Sequence, residues 1–292
     1  GKEVGESYYA FKVGKMMSRW EDGVNGKDGL FWDGVRNTGN KIPSGVGESL
    51  VMDVGFYGEL LTLWLWSRGG DNKKEISRYR RIYDKAVEGM VGTLLEGTED
   101  GSILLGEIRK NKRVTWMKEE ACAVPGMLAL GAYTHPSGIE STVAQRDLRI
   151  AKALAYSCYQ MYARTKSGLS HSSTTSSNNK IQSFHSSLSA PHNLSPQLPY
   201  SLYILHAVTG DGTYREWGWE IFQALEKYCR VPGGYGYLRN ADKPEAGVGE
   251  RMDSHFLGAT LKYLYLLMDP DSEIDVLSGH VFNMAGHPLK IP

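Results

Sequence analysis

Asp53 and Glu59 interrupt the most apolar run of the chain, residues 50 to 66, and Asp253 stands two positions ahead of His255 at the head of another. Carboxyl groups in apolar surroundings can serve as general acid or base, and imidazole can do either near neutral pH. Glu48, Asp53, Glu59 and Asp253 are therefore candidate proton carriers, and His255, His287 and Tyr200 are further polar groups that could act on a ligand. Each also has a structural reading: Asp253 as a helix N-terminal cap or ion-pair partner, each histidine as a hydrogen-bonded structural group. His171, His185 and His192 lack regular ligand spacing and read as solvated loop histidines rather than a metal site. Cys122, Cys158 and Cys229 lack the CxxC or Cys/His spacing of zinc; one disulfide with one free thiol remains open.

The elements that must position these groups are mostly helical, because apolar residues recur at helical spacing in many windows and alternate strictly in few. The pattern predicts helices near 6 to 20, 50 to 68, 74 to 96, 121 to 133, 144 to 165, 196 to 209, 213 to 229 and 252 to 268. Gly69-Gly70-Asp71-Asn72, Gly168 and Thr209-Gly210-Asp211-Gly212 punctuate them, since glycine suits a left-handed C-terminal cap. Residues 103 to 108 and 113 to 116 predict a short hairpin, and Gly234 to Leu238 an irregular strand. Residues 170 to 193 are dominated by Ser, Thr and Asn; a mobile surface loop inserted within one domain spanning 1 to 292 is expected. Trp64, Trp66, Trp217, Trp219, Tyr263 and Tyr265 either pack the core or line a sugar-binding cavity.

Composition excludes several partners. Lys plus Arg number 33 and Asp plus Glu 33, so the formal net charge is zero and the cationic footprint of a nucleic-acid or anionic-membrane binder is missing. No window approaches the roughly 18 apolar residues of a membrane span. The sequence opens Gly-Lys-Glu, with neither an initiator Met nor a basic-then-apolar leader, so the compartment is not readable there.

Residues 252 to 267, MDSHFLGATLKYLYLL, resemble the MESFFLAETLKYLYLLF stretch of class I α-mannosidases, glycoside hydrolase family 47. Residues 281 to 289, VFNMAGHPL, resemble that family's VFNTEAHPL terminus. Thr209-Gly210-Asp211 with Tyr214, Gly218-Trp219 and Ile221-Phe222 is similar to its TGD..Y...GW.IF segment, residues 125 to 132 to its PGMLALGA, and Phe56-Tyr57 with Leu60-Leu61 and Trp64 to its FYEYLLKxW. Five segments in the family's order cover about residues 8 to 292. The resemblance implies an all-α fold, an incomplete or modified (α/α)7-barrel-like toroid of helical hairpins with minor β-hairpins, matching the later part of the family domain. It also implies a Cys122–Cys158 disulfide and, with it, a secretory or extracellular compartment.

The resemblance implies inverting hydrolysis of α-1,2-linked mannose on N-glycans, which needs one carboxylic acid, one carboxylate and a bound Ca²⁺. At the matching positions this chain departs from the motifs. RPExxES becomes Ser195-Pro196-Gln197-Leu198-Pro199-Tyr200-Ser201, placing Gln197 and Tyr200 where the family has Glu. The acid before SFYEY falls on Val54, with Asp53 one position away, and other family glutamates fall on Gly58, Ala259 and Ala285. The calcium ligand position is Met284, whose thioether suits a hard cation poorly, so no metal or cofactor is expected unless calcium is retained there. MDHL reads Met117-Lys118-Glu119-Glu120, and the SPE segment reads Leu169-Ser170-His171-Ser172. Asp253 matches the Glu of MESFF and is the leading catalytic candidate, with His255, in place of a family Phe, and His287 beside it.

Helix-packing residues match while polar cavity positions do not, a pattern that random decay would not produce. The leading expectation is a mannosidase-like pseudoenzyme or a scaffold repurposed for another ligand, a glycan or small molecule held in a central cavity. An active α-1,2-mannosidase using other carboxyls is the alternative. A third is an enzyme acting on an apolar small molecule through His255, His287 and Tyr200.

Overall fold

The computed structural model describes residues 26–27, 29–31, 49–98, 101–110, 112–114, 116–171, 173–177, 180–183 and 191–292. In chain order these form β1 (Gly26–Lys27), β2 (Leu30–Phe31), β3 (Ser49–Leu50), α1 (Val54–Trp66), α2 (Lys73–Thr93), β4 (Leu95–Gly97), β5 (Ile103–Leu105), β6 (Glu107–Arg109), β7 (Lys112–Val114) and β8 (Trp116–Lys118). A 3-10 turn, Glu119–Ala123, leads into α3 (Val124–Tyr133) and α4 (Thr142–Ala163). Then come β9 (Ser173–Ser177), β10 (Lys180–Ser183), α5 (Gln197–Thr209), α6 (Thr213–Tyr228), β11 (Arg230–Val231), β12 (Gly234–Tyr235), a π turn at Phe256–Thr260, α7 (Leu261–Met268), β13 (His280–Phe282) and β14 (Pro288–Lys290). The helix expected near 6 to 20 lies outside the described residues.

Two kinds of helix alternate. The odd helices α1, α3 and α5 are apolar almost all round, whereas the even helices α2, α4 and α6 are amphipathic. A helix apolar on every side must be covered on every side, while an amphipathic one can close a wall against water. Packing follows that rule: α1 touches α3, α3 touches α5 and α5 touches α7, while α2, α4 and α6 each back onto the preceding odd helix. The result is an arc of helical hairpins with its apolar helices inside, as the sequence predicts.

Local chemistry sets the ends. The Asp53 carboxylate accepts from Gly55 N at 2.8 Å at the start of α1, Asn72 caps α2, and Ser141 caps α4. Gly210 takes φ 70° at the end of α5, as expected, whereas Gly168, at φ 74°, lies four residues beyond the α4 cap, Arg164. Gly126 lets α3 and α5 approach closely: a Cβ there would stand 2.8 Å from Tyr200 Cε1 and 2.9 Å from Ser201 Cα. Ser201 fastens the same contact, its hydroxyl accepting from Gly126 N at 2.8 Å and donating to the Cys122 carbonyl at 2.5 Å. The Cys122–Cys158 disulfide ties the 3-10 turn to α4.

Strand pairing departs from expectation in three places. Residues 107–109 and 112–114 do form a hairpin, but β5 pairs instead with β4 and β8 with β9, so the 103 to 116 stretch is shared among three small sheets. The 170 to 193 stretch, expected as a loop, contains β9 and β10, paired antiparallel to each other; backbone pairing alone forms a ladder that needs no apolar side chains. The C-terminal segment that carries the VFNMAGHPL motif forms the β13–β14 hairpin, and it packs on α1.

Candidate functional site

A cavity of about 580 Å³ opens at the inner ends of the odd helices. The start of α1 contributes Asp53, Val54, Gly58 and Glu59, and α5 contributes Gln197 and Tyr200. The π turn and α7 bring Ala259 and Tyr263, and the C-terminal hairpin brings Phe282 and Met284. Trp116, Lys118 and Glu107 close one side from the small sheets, with Glu120 beside them. Val54, Gly58, Gln197, Tyr200, Ala259 and Met284, which the family resemblance marks as departures, line this one space; Ala285 is exposed on the hairpin and does not line it, nor do Glu119, Ser170, His171, Asp253 and His255.

The geometry of each wall has a cause. Gly55 makes room for Met284, because a Cβ there would lie 2.8 Å from Met284 Cε. Tyr200 and Tyr263 meet edge-on with centroids 5.3 Å apart, and Tyr263 meets Phe282 at 5.2 Å, giving an aromatic floor. Burial holds the Tyr200 and Tyr263 hydroxyls well above the ordinary tyrosine range, so both stay neutral donors.

The carboxyls in the cavity differ in how far they are engaged. Glu107, 4% exposed, accepts from Trp116 Nε1 at 3.0 Å and Lys118 Nζ at 3.2 Å and pairs with Arg109 at 2.8 Å, so two cations and one neutral donor engage it. Asp53 is committed to capping α1. Glu59 is half-buried, and that burial raises its carboxyl pKa, an effect opposed by a hydrogen bond from the Met284 backbone N–H. Among the described residues no group of three or more His, Cys, Asp or Glu is placed to hold a metal ion.

The other residues singled out in the sequence lie elsewhere. Asp253 pairs with Arg251, His255 donates from Nε2 to the Asn193 carbonyl at 3.1 Å, and exposed His287 is tied through its backbone to the Asn283 side chain at 2.9 Å. None of the three lines the cavity. Glu48 and His185 lie outside the described residues. Among the aromatic candidates Tyr263 reaches the cavity; Trp66, Trp219 and Tyr265 are exposed, Trp217 stacks on Tyr159, and Trp64 lies against Arg68 and Arg80. Trp116, expected only as a strand residue, lines the cavity from β8.

His171 and His192 correct the expectation of solvated histidines. His171 is 3% exposed and binds Asp242 at 3.0 Å; His192 is 1% exposed and meets the Ser170 hydroxyl at 3.1 Å through Nδ1. Their segments carry buried Leu169 and Leu194, which anchor the chain beneath the surface. Burial lowers the His192 pKa to about 4, so its ring is neutral near pH 7. Cys229 is a buried free thiol, pushed up to about 12 by burial and hence unreactive as a nucleophile.

The sequence profile of glycosyl hydrolase family 47 matches residues 5–291. The chain belongs to glycosyl hydrolase family 47. Family relatives include the mannosyl-oligosaccharide 1,2-alpha-mannosidase MNS1 of Arabidopsis thaliana, 36% identical over 236 residues, covering 81% of this chain and 40% of that protein. The endoplasmic reticulum mannosyl-oligosaccharide 1,2-alpha-mannosidase of Mus musculus is 37% identical over 246 residues, covering 81% and 35% respectively. This family 47 chain thus spans less than half the length of the curated relatives it matches. The solved alpha-1,2-mannosidase from Trichoderma reesei superposes with a TM-score of 0.83 at 20% identity, covering 100% of this chain and 63% of that one, and shows the same mannosidase fold. The Cys122–Cys158 bond is the pairing that the family resemblance implies. No described helix is long and apolar enough to cross a membrane.

Proposed function

We propose that this chain is a family 47 glycan-binding protein whose ordinary α-1,2-mannosidase machinery has been replaced. One observation carries the reading: six of the residues that the family resemblance marks as departures, Val54, Gly58, Gln197, Tyr200, Ala259 and Met284, line a single cavity. Inverting hydrolysis needs an acid and a base about 6.5–9.5 Å apart across the scissile bond. A Gln amide at 197 neither accepts nor releases a proton as a base or acid near neutral pH, and Val54 has no polar group at all. Glu107 is locked in its ion pairs and Asp53 in its cap. Calcium held in the family manner does not fit the donors present, because Met284 offers a thioether, 72% exposed, where a hard cation needs oxygen.

The remaining surface suits a neutral polyol. Trp116, Tyr200 and Tyr263 supply aromatic faces and hydroxyl groups, and Gln197 an amide that can donate and accept. The names of the curated relatives describe enzymes of mannosyl-oligosaccharides, and on that ground we take α-1,2-linked mannose as the ligand class. The chain forms one mannosidase-like domain with the Ser-rich 170 to 193 stretch as an insertion. The disulfide, together with an endoplasmic reticulum relative, favours a secretory compartment. Calorimetric titration with α-1,2-mannobiose is expected to show binding, weakened about tenfold by Trp116→Ala through loss of a stacking face. Absence of heat in the unsubstituted protein would remove the glycan reading.

A second reading is favoured by Glu59. A cavity carboxyl made more basic by burial is what a general acid requires. If the protein does release mannose, Glu59→Gln is expected to abolish the release; activity that survives the substitution excludes Glu59 as the acid.

A further inference from the structure

Behind the cavity, Glu119 sits in the 3-10 turn that follows β8, 7% exposed and ringed by hydroxyl groups. The Tyr162 hydroxyl donates to Glu119 Oε1 at 2.8 Å and the Ser170 hydroxyl donates to the same oxygen at 2.9 Å. The Ser195 hydroxyl is its third hydrogen-bond partner, and that same hydroxyl donates to Gln197 Oε1. Gln197 lines the cavity, so one hydroxyl separates a buried carboxyl from a ligand-facing amide. We propose that Glu119 sets, through Ser195, which face of the Gln197 amide is presented to the cavity, and hence the hydrogen-bond polarity with which the site meets a sugar hydroxyl. The inference rests on the reading of Gln197 as ligand-facing.

Proton counting gives the mechanism. A serine hydroxyl has one proton to donate. When Glu119 is ionised it accepts from Tyr162, Ser170 and Ser195, so the Ser195 proton points inward. Only lone pairs then face Gln197, whose amide turns its NH2 toward Ser195 and its carbonyl toward the cavity. When Glu119 is protonated it can donate to Ser195, whose own proton is then free to reach Gln197 Oε1, leaving the amide NH2 facing the ligand. The site therefore offers a donor in one state and an acceptor in the other.

The surroundings keep Glu119 the group that titrates. Burial raises it to about 7, its three hydroxyl partners oppose that rise, and Glu120 on the same turn adds to it. From α4, Tyr162 is held far above its ordinary value and stays neutral. Across Ser170, His192 is held near 4, with His171 and His255 disfavouring its charge further, and His171 is itself paired with Asp242.

The test follows the Gln197 side-chain amide in the full chain labelled with 15N-glutamine, from about pH 5.5 to about pH 8.5, a range that brackets the expected midpoint. The Gln197 resonances are expected to shift with one midpoint near 7, and to lose that shift in Glu119→Gln and in Ser195→Ala. A flat profile in the unsubstituted protein, or a titration that persists in either variant, overturns the proposal. Should Glu119→Gln fail to fold, Ser195→Ala decides alone, because it breaks the relay while leaving the carboxyl. The measurement contains no glycan. A parallel titration with α-1,2-mannobiose on either side of the midpoint is expected to show an affinity difference of about threefold or more, from one donor exchanged for one acceptor. No binding at either pH counts against the glycan reading, while the amide resonances still decide the relay.

Discussion

Glu119 and His192 bear opposite linkages to pH and share a neighbour in Ser170. Glu119 holds its proton more tightly in the folded chain, up to about 7 against an ordinary 4.5, so its contribution to stability is full below about 4.5 and is lost as the pH rises through 7. His192 resists protonation, at about 4 against 6.5, so its contribution is full above about 6.5 and is lost as the pH falls through 4. Each is worth on the order of 3 kcal/mol, and between about 4.5 and 6.5 the two slopes offset. Urea unfolding across that range is expected to give a nearly flat profile for the unsubstituted chain. Glu119→Gln should uncover a rise in stability with pH, and His192→Gln a fall. Parallel profiles for both variants would contradict the opposing assignments. The MKEE segment already marked Glu119 as a departure from the family motif. Its burial was hidden, because its partners come from Tyr162 and Ser170, 43 and 51 positions along the chain. His192 was obscured by the polar stretch that precedes it, which gives no sign that the chain turns inward at Leu194.

The elements were far more legible than the contacts between them. Apolar content and helical spacing located α1 to α6 to within a few residues, since the even helices carry one apolar face and the odd helices are apolar almost throughout. Strand partners were not legible: β5 pairs with β4 and β8 with β9 because short strands acquire their register from tertiary neighbours. The last helix begins with a π turn that carries Ala259 to the cavity, and local propensity gave no sign of it. Two predictions belong to this scale. Gly126→Ala inserts a methyl against Ser201 Cα at 2.9 Å, backbone that cannot give way, and should destabilise by about 1–3 kcal/mol in thermal unfolding. Reduction of Cys122–Cys158, which joins residues 36 apart, should cost about 2–4 kcal/mol; an unchanged unfolding midpoint under reductant would show that the bond adds nothing.

At the scale of the whole molecule, one helical arc builds the cavity and, on the proposed reading, tolerates a changed lining. Packing between α3 and α5 depends on Gly126 and Ser201 and on Tyr200, which lies against Gly126 and lines the cavity as well, while Val54, Gly58, Gln197 and Met284 lie along the cavity wall. An amide or a methyl can replace a carboxylate there without disturbing the core, and removing inward charges relieves repulsion and desolvation. The fold and the family were legible in five short motifs. What the sequence could not supply was which polar residues reach the cavity, and Asp253, His255 and His287 do not. The decisive measurement is incubation of the full chain with a high-mannose N-glycan, with and without added calcium and at several pH values, followed by mass analysis of the products. The account predicts that the glycan is recovered intact under every condition. Appreciable release of mannose, above all release that calcium accelerates, would contradict it.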